Sequence, residues 1–191
     1  VKHKTLFQTL KDKNNIEFVK ENGPFECKWE NTWLGDGYYF WDTFVENAHW
    51  WGKTRHKDGY IICRAYCDYD NETCFDLVGD TDHLIEFDEC VKLLKELNLF
   101  NEKTKVARVV EFLKSIPDIK YQAIRVYGVN SISNHKKEYE EYRSRMTFED
   151  GKAQYLDYKP AIQMCLFKKN SLNLRNLEIE YPEECKSGYA V

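Results

Sequence analysis

The segment from Gly35 to Trp51, GDGYYFWDTFVENAHWW, constrains this chain more than any other stretch. Glycine tolerates positive φ and lets backbone or a ligand come close, so two glycines ahead of a run of rings mark a tight turn opening onto an aromatic strand. In such a strand Tyr39 and Trp41 share one face and Tyr38 and Phe40 the other. Phe44, Ala48 and Trp51 then recur at helical intervals, with Asp42 or Thr43 as cap, so the strand runs directly into a helix that ends near Trp51. Asn47 and Trp50, three residues apart, share a face of that helix and can close over the strand. An aromatic corner of the core fits this pattern, and so does a cleft for a flat ligand.

Composition narrows the classes around that segment. With 11 Phe, 5 Trp and 13 Tyr against 9 Gly and 4 Pro, the chain is neither disordered nor collagen-like, and its rings must line a core, a pocket or both. Lys and Arg number 28 and Asp and Glu 32; the formal charge of −4 argues against a general binder of phosphate backbones, a local basic patch aside. A chain of 191 residues builds one domain, residues 1–191, with a real core. No apolar run nears the roughly 20 residues that span a bilayer, and VKHKTLFQTL has no apolar signal core, so no membrane partner is expected. Seven cysteines without a compact ladder of spacings suit buried, reduced thiols and a cytoplasmic protein. Val1 in place of methionine leaves a trimmed leader, and so a secreted effector, open.

Along the chain, His3–Thr9 reads as a strand and Lys11–Asn22 as a short helix stopped at Gly23-Pro24. Gly59–Tyr69 reads as a strand and is followed by a polar stretch. Leu84, Phe87, Val91, Leu94 and Leu97 keep helical spacing after a cap at Thr81 or Asp82, and Val106, Val109, Val110 and Leu113 repeat it before Pro117. Strands return at Tyr121–Val129, Pro160–Lys168 and Leu172–Ile179, and the charged run HKKEYEEYR reads as a solvated helix face.

The run Gly35-Asp36-Gly37-Tyr38-Tyr39-Phe40, continuing into the Asp42–Trp51 helix, resembles the nicotinamide-pocket motif of the ADP-ribosyltransferase superfamily. The likeness is to the poly(ADP-ribose) polymerase-like branch and its small bacterial relatives, where a glycine-x-glycine-aliphatic-tyrosine-phenylalanine run precedes a serine-x-x-tyrosine helix. By that match Tyr39 takes the pocket tyrosine's place, Asn47 that of the serine holding the carboxamide, and Trp50 that of the second stacking ring. Leu6-Phe7-Gln8-Thr9 stands where the family's first strand carries histidine then glycine, which sets Gln8 at the histidine and Thr9 at the glycine. Ala161-Ile162-Gln163-Met164-Cys165-Leu166-Phe167 stands at the last motif, with Gln163 at its glutamate. Residues 70–155 have no counterpart.

The resemblance implies an α+β fold, a split and mostly antiparallel β core with a helical insertion at about 81–116, and NAD as substrate in the cleft between the sheets. Gln8, Thr9, Gly37, Tyr39, Asn47 and Trp50 would bind NAD, with Gln163, Tyr39 and Gln8 serving catalysis. ADP-ribosyl transfer needs no metal; the protein orients nicotinamide, desolvates the ribose and stabilises a developing cation. Glutamine at 163 keeps the acceptor and loses the charge. Hydrogen bonds to ionised groups are worth about 1.5–3 kcal/mol against about 0.5–1.5 for neutral ones, so the exchange gives up about one to two powers of ten in rate. An amide is no general base for an acceptor ribose, so the expectation is a mono-ADP-ribosyltransferase or slow NAD glycohydrolase that makes no polymer. Its acceptor would be a protein, a nucleic acid or a small molecule, and its setting a bacterial toxin, with an antitoxin as partner, or a defence protein. Two alternatives remain: a non-catalytic NAD- or ADP-ribose-binding module, and an interaction domain using the helices between Thr81 and Ser115.

A replacement acid would come from Glu138, Glu140, Glu141, Glu149 or Asp157, all upstream of the last motif. No metal site is expected. Cys63, Cys67 and Cys74, with His56 and His83, lack a paired C-x-x-C, and the Asp68-Asp70-Glu72 run lacks the glycine and glutamate of a calcium loop. No cysteine stands beside an oxyanion signature.

Overall fold

The computed structural model describes residues 1–128, 141 and 144–186. Along them run β1 (Lys2–Lys11), α1 (Ile16–Asn22), β2 (Tyr38–Asp42), α2 (Val45–Arg55), β3 (Tyr60–Tyr69), β4 (Cys74–Asp76), α3 (Thr81–Glu96), α4 (Val106–Ser115), β5 (Ala123–Tyr127), β6 (Arg145–Thr147), β7 (Tyr155–Asp157), β8 (Ile162–Leu166) and β9 (Arg175–Tyr181). Seven strands form one sheet in the order β4-β5-β8-β2-β1-β3-β9, and β6 and β7 pair as a separate hairpin. Of the pairings in the large sheet, that of β4 with β5 is parallel and the rest are antiparallel. The architecture is therefore mixed α+β around a mostly antiparallel sheet. Among the described residues that sheet is continuous, and its only companion is the small hairpin, so the expected cleft between two halves of a split core has no second large sheet to form its other wall.

Register assigns each side chain to a face. Phe7 stands opposite Trp41, and Trp41 opposite Gln163; Tyr39 and Cys165, two residues along their strands, share that face. Over it α2 packs on Phe7, Trp41 and Ile62, while α3 and α4 pack on Phe75, Ile124 and Cys165. Leu6, Phe40, Met164 and Leu166 point the other way, into a cluster closed by Leu172 and Leu174. Val19 of α1 covers Ile61, Cys63 and Ile179 on that same second face.

Several boundaries depart from the sequence reading for identifiable reasons. α1 covers only Ile16–Asn22, after a turn in which the Asp12 carboxylate accepts the Asn14 N–H. α2 begins at Val45 because Thr43 takes φ 68°, a left-handed conformation that is strained for a β-branched residue, and neither Asp42 nor Thr43 caps the helix. The Thr43 N–H donates to the Thr5 carbonyl at 2.8 Å and its hydroxyl to Asp42 at 2.6 Å, which holds the turn. α3 is capped by Asp80, whose carboxylate accepts the Asp82 and His83 N–H groups. Its buried residues are His83, Cys90 and Leu94, and Phe87 and Val91 pack against the same cluster as the spacing predicts, whereas Leu84 and Leu97 are 49% and 56% exposed. His83 turns inward because its Nδ1 accepts the Asp76 N–H at 2.9 Å. β4 interrupts the stretch read as polar, and the run HKKEYEEYR falls almost wholly outside the described residues.

Candidate functional site

The three segments that carry the resemblance lie on the adjacent strands β8, β2 and β1. Gln163 faces Trp41 across one neighbour and Val126 across the other. Trp41 belongs to the cluster under α2 and Val126 to that under α3 and α4, so Gln163 occupies the seam between the two helical layers. Its Oε1 is buried and has no hydrogen-bond partner among the described residues. A neutral acceptor in that state is poised to receive a donor.

One side of the seam is aromatic. The Trp50 ring meets Trp41 edge-on, with centroids 6.3 Å apart and planes at 78°, and Trp51 stands 6.1 Å from Trp41. The start of α2 is stitched to the residues that lead into β8. Asn47, 1% exposed, donates from Nδ2 to the Pro160 carbonyl at 3.1 Å, and Lys159 bonds the Glu46 carboxylate. Burial pushes the Glu46 carboxyl upward, but the Lys159 bond, the Glu46 N–H and the charges of Lys159 and His49 together outweigh it and leave the group below the usual carboxylate range. Thr9, on the Phe7 face of β1, ties this layer down from beneath by donating to the Ala48 carbonyl at 3.0 Å.

Other expected site residues are placed differently. The Tyr39 hydroxyl donates to the Gly35 carbonyl at 2.6 Å and accepts the Leu34 N–H at 2.9 Å, so its polar end locks the glycine turn. Burial holds that hydroxyl well above the usual tyrosine range, and hence neutral. Tyr39 packs in the cluster under α3 and α4, and Trp50 in that under α2, so the ring paired with Trp50 is Trp41. Gln8 points to the opposite face of the sheet. Its Nε2 donates to the Phe25 carbonyl at 2.8 Å and its Oε1 accepts the Phe25 N–H at 2.9 Å, an arrangement that fastens the residue 25 segment to β1. A shift of one residue along a strand changes face, so it is Phe7 and Thr9 that share the side of Tyr39, Trp41 and Gln163. Gly37 lies against β8: a Cβ there would come 2.5 Å from Cys165 Sγ and 2.7 Å from the Leu166 carbonyl oxygen.

Of the acids proposed as replacements, Glu141 pairs with Lys53 of α2 at 2.7 Å, Glu149 lies in the exposed turn after β6, and Asp157 is part of β7. Glu138 and Glu140 fall outside the described residues. The seven cysteines are free thiols, and burial pushes Cys63, Cys67 and Cys165 up to about 12. No group of three His, Cys, Asp or Glu able to hold a metal occurs among the described residues, nor does a helix long and apolar enough to cross a membrane.

Sequence reasoning missed two features. The first is that Trp41, which strand alternation sets on the face of Tyr39, is the ring that meets Trp50. The second is a buried ion network on the other face: Arg125 Nε donates to Asp42 at 2.6 Å and Nη1 to Asp76 at 2.9 Å, with both carboxylates at most 1% exposed. These residues lie 83 and 49 positions from Arg125, and no local pattern links them.

No known protein family matches the chain, and no solved structure matches it. An uncharacterized protein of Methanocaldococcus jannaschii is 25% identical over 202 residues, which span 91% of this chain and 86% of that protein.

Proposed function

We propose that this protein is an NAD-dependent mono-ADP-ribosyltransferase, or a slow NAD glycohydrolase, that holds NAD against the β8-β2-β1 face of its continuous sheet instead of in a cleft between two sheets. The observation that carries the proposal is the buried Gln163 Oε1 between Trp41 and Val126, which has no partner among the described residues. An unsatisfied buried acceptor costs about 1–3 kcal/mol, which a ligand hydroxyl or amide N–H at that point recovers. The adjacency of β8, β2 and β1, and the shared face of Tyr39, Trp41 and Gln163, support the same reading.

In this scheme Trp50 supplies ring surface for the cationic nicotinamide, backed by Trp41, which is 5% exposed and packs edge-on against it. Gln163 accepts a hydroxyl of the attached ribose, while Asn47 and Thr9 hold α2 over the site through Pro160 and Ala48. Gln8, bonded to Phe25 on the far face, acts on the scaffold. The neutral Gln163 favours a second reading, a module that binds NAD or ADP-ribose and does not turn it over.

Release of nicotinamide from NAD, measured alongside thermal shifts with NAD and with nicotinamide, tests the site. The expected outcome is binding that weakens in Trp50→Ala and Gln163→Leu, with slow nicotinamide release that rises about 10- to 100-fold in Gln163→Glu. Binding with no release, even in Gln163→Glu, selects the non-catalytic module. If NAD neither shifts the melting temperature nor is consumed, both readings fall.

A further inference from the structure

The hairpin of β6 and β7 stands outside the large sheet and presents two unlike faces. Arg145 lies opposite Asp157, Met146 opposite Leu156, and Thr147 opposite Tyr155. Pairing continues past both ends, since the Phe148 N–H donates to the Gln154 carbonyl and the Tyr158 N–H to the Ser144 carbonyl. Alternation therefore sets Met146, Phe148, Leu156 and Tyr158 on one face and Arg145, Tyr155 and Asp157 on the other. The polar face is engaged, with the Arg145 guanidinium 5.4 Å from the centre of the Tyr155 ring. Among the described residues nothing covers the apolar face: Met146 is 66% exposed, Phe148 70%, Leu156 51% and Tyr158 53%.

We infer that this apolar face is where two copies of the chain associate, hairpin against hairpin about a two-fold axis. Large side chains bury about 150–250 Å² each, so four of them at these exposures offer roughly 500 Å² per copy. Two copies together remove about 1,000 Å² from water, the lower end of what a specific interface requires and the range of weak, exchanging dimers. A two-stranded hairpin alone in water is marginal, so covering this face also stabilises the element.

Charge places no barrier against a second copy. The four exposed side chains carry no charge, so the face does not repel itself when apposed to its own image. Glu149 and Asp150 lie in the turn at one end. A two-fold axis that reverses strand direction puts the two acidic turns at opposite ends of the interface. The exposed apolar residues of α3 offer a poorer surface, because Glu86, Asp88, Glu89 and Lys92 interrupt Leu84, Ile85 and Leu93.

Sedimentation over a dilution series from roughly 1 to 500 μM reads the equilibrium directly. The parent mass should climb toward twice that of the chain. Met146→Glu and Leu156→Lys should each remain monomeric throughout with unchanged far-ultraviolet spectra, because neither residue contributes to the large sheet. Leu84→Glu, exposed on α3, should dimerise like the parent. A readout free of substitutions is amide exchange at residues 145–147 and 155–157, which should slow as protein concentration rises. A parent that stays monomeric over the whole series overturns the inference and leaves the face to another partner. A dimer that survives both hairpin substitutions, or is lost on Leu84→Glu, overturns it as well.

Discussion

Alanine at position 37 distinguishes a glycine kept for a ligand from one kept for packing. The added Cβ would lie 2.5 Å from Cys165 Sγ and 2.7 Å from the Leu166 carbonyl oxygen, both far inside van der Waals contact. The oxygen belongs to the backbone of β8 and Cys165 is fully buried, so neither retreats without shifting a strand. Overpacking of this kind costs about 1–3 kcal/mol, which in a chain of this length lowers the melting temperature by about 2–12 °C. A double-mutant cycle with Cys165→Ala isolates the sulfur contact. Removing Sγ leaves room for the new methyl group, so the double variant should be less destabilised than the two single costs combined, by about 0.5–3 kcal/mol. The assay is thermal or urea unfolding of the four proteins without ligand. A Gly37→Ala protein that melts with the parent, or a cycle that adds within about 0.5 kcal/mol, refutes the packing argument and returns Gly37 to a role in admitting a ligand.

Arg125→Met should be among the most damaging substitutions, because it strands Asp76 as a buried carboxylate with no cationic partner and leaves Asp42 with Lys4 alone, at 3.4 Å. The expected cost is about 3–5 kcal/mol, and unfolding within 1 kcal/mol of the parent would contradict it. Burial first, then the charge of Lys53, hold His49 below the ordinary histidine value, against the opposing pull of Glu180 and Glu46. The folded protein thus resists a proton that the unfolded chain accepts. Stability should be level above about pH 6.5 and decline as the pH falls below it, with a shallower decline in His49→Gln. His56 shifts in the same direction, chiefly through burial, and keeps some slope in that variant. An unaltered slope in His49→Gln refutes the assignment.

Local pattern carried much of the fold. Alternation placed β1, β2, β3, β5, β8 and β9 close to their observed spans, and the apolar spacing of Val109, Val110 and Leu113 gave the buried stripe of α4. It failed where tertiary bonds set the phase. Of the stripe read on α3, Phe87, Val91 and Leu94 pack inward, but Leu84 and Leu97 at its ends are exposed, and the bond to the Asp76 backbone turns His83 inward beside Leu84. Thr43 takes a conformation its propensity disfavours because Thr5 and Asp42 hold it there. β6 and β7, three residues each, are too short for periodicity to register.

The candidate site was legible in part for the same reason. The expected face of Tyr39 and Trp41 followed from strand alternation alone. Which face Gln8 occupies depends on strand pairing, and one residue of register separates the two outcomes. That Gln163 carries a buried oxygen without a partner depends on how α2, α3 and α4 divide the sheet between them, which no single segment encodes.

The position of β8 has a consequence for how the chain acquires its structure. It joins the β4-β5 pair to the block formed by β2, β1, β3 and β9, yet it comes from residues 162–166. Until that late strand emerges from the ribosome, the earlier elements exist as two unconnected halves with open, hydrogen-bond-hungry edges. Collapse to the finished architecture must therefore wait for residues 162–166 and be slow, limited by closure of long loops. A protein truncated before residue 162 should accumulate as aggregate.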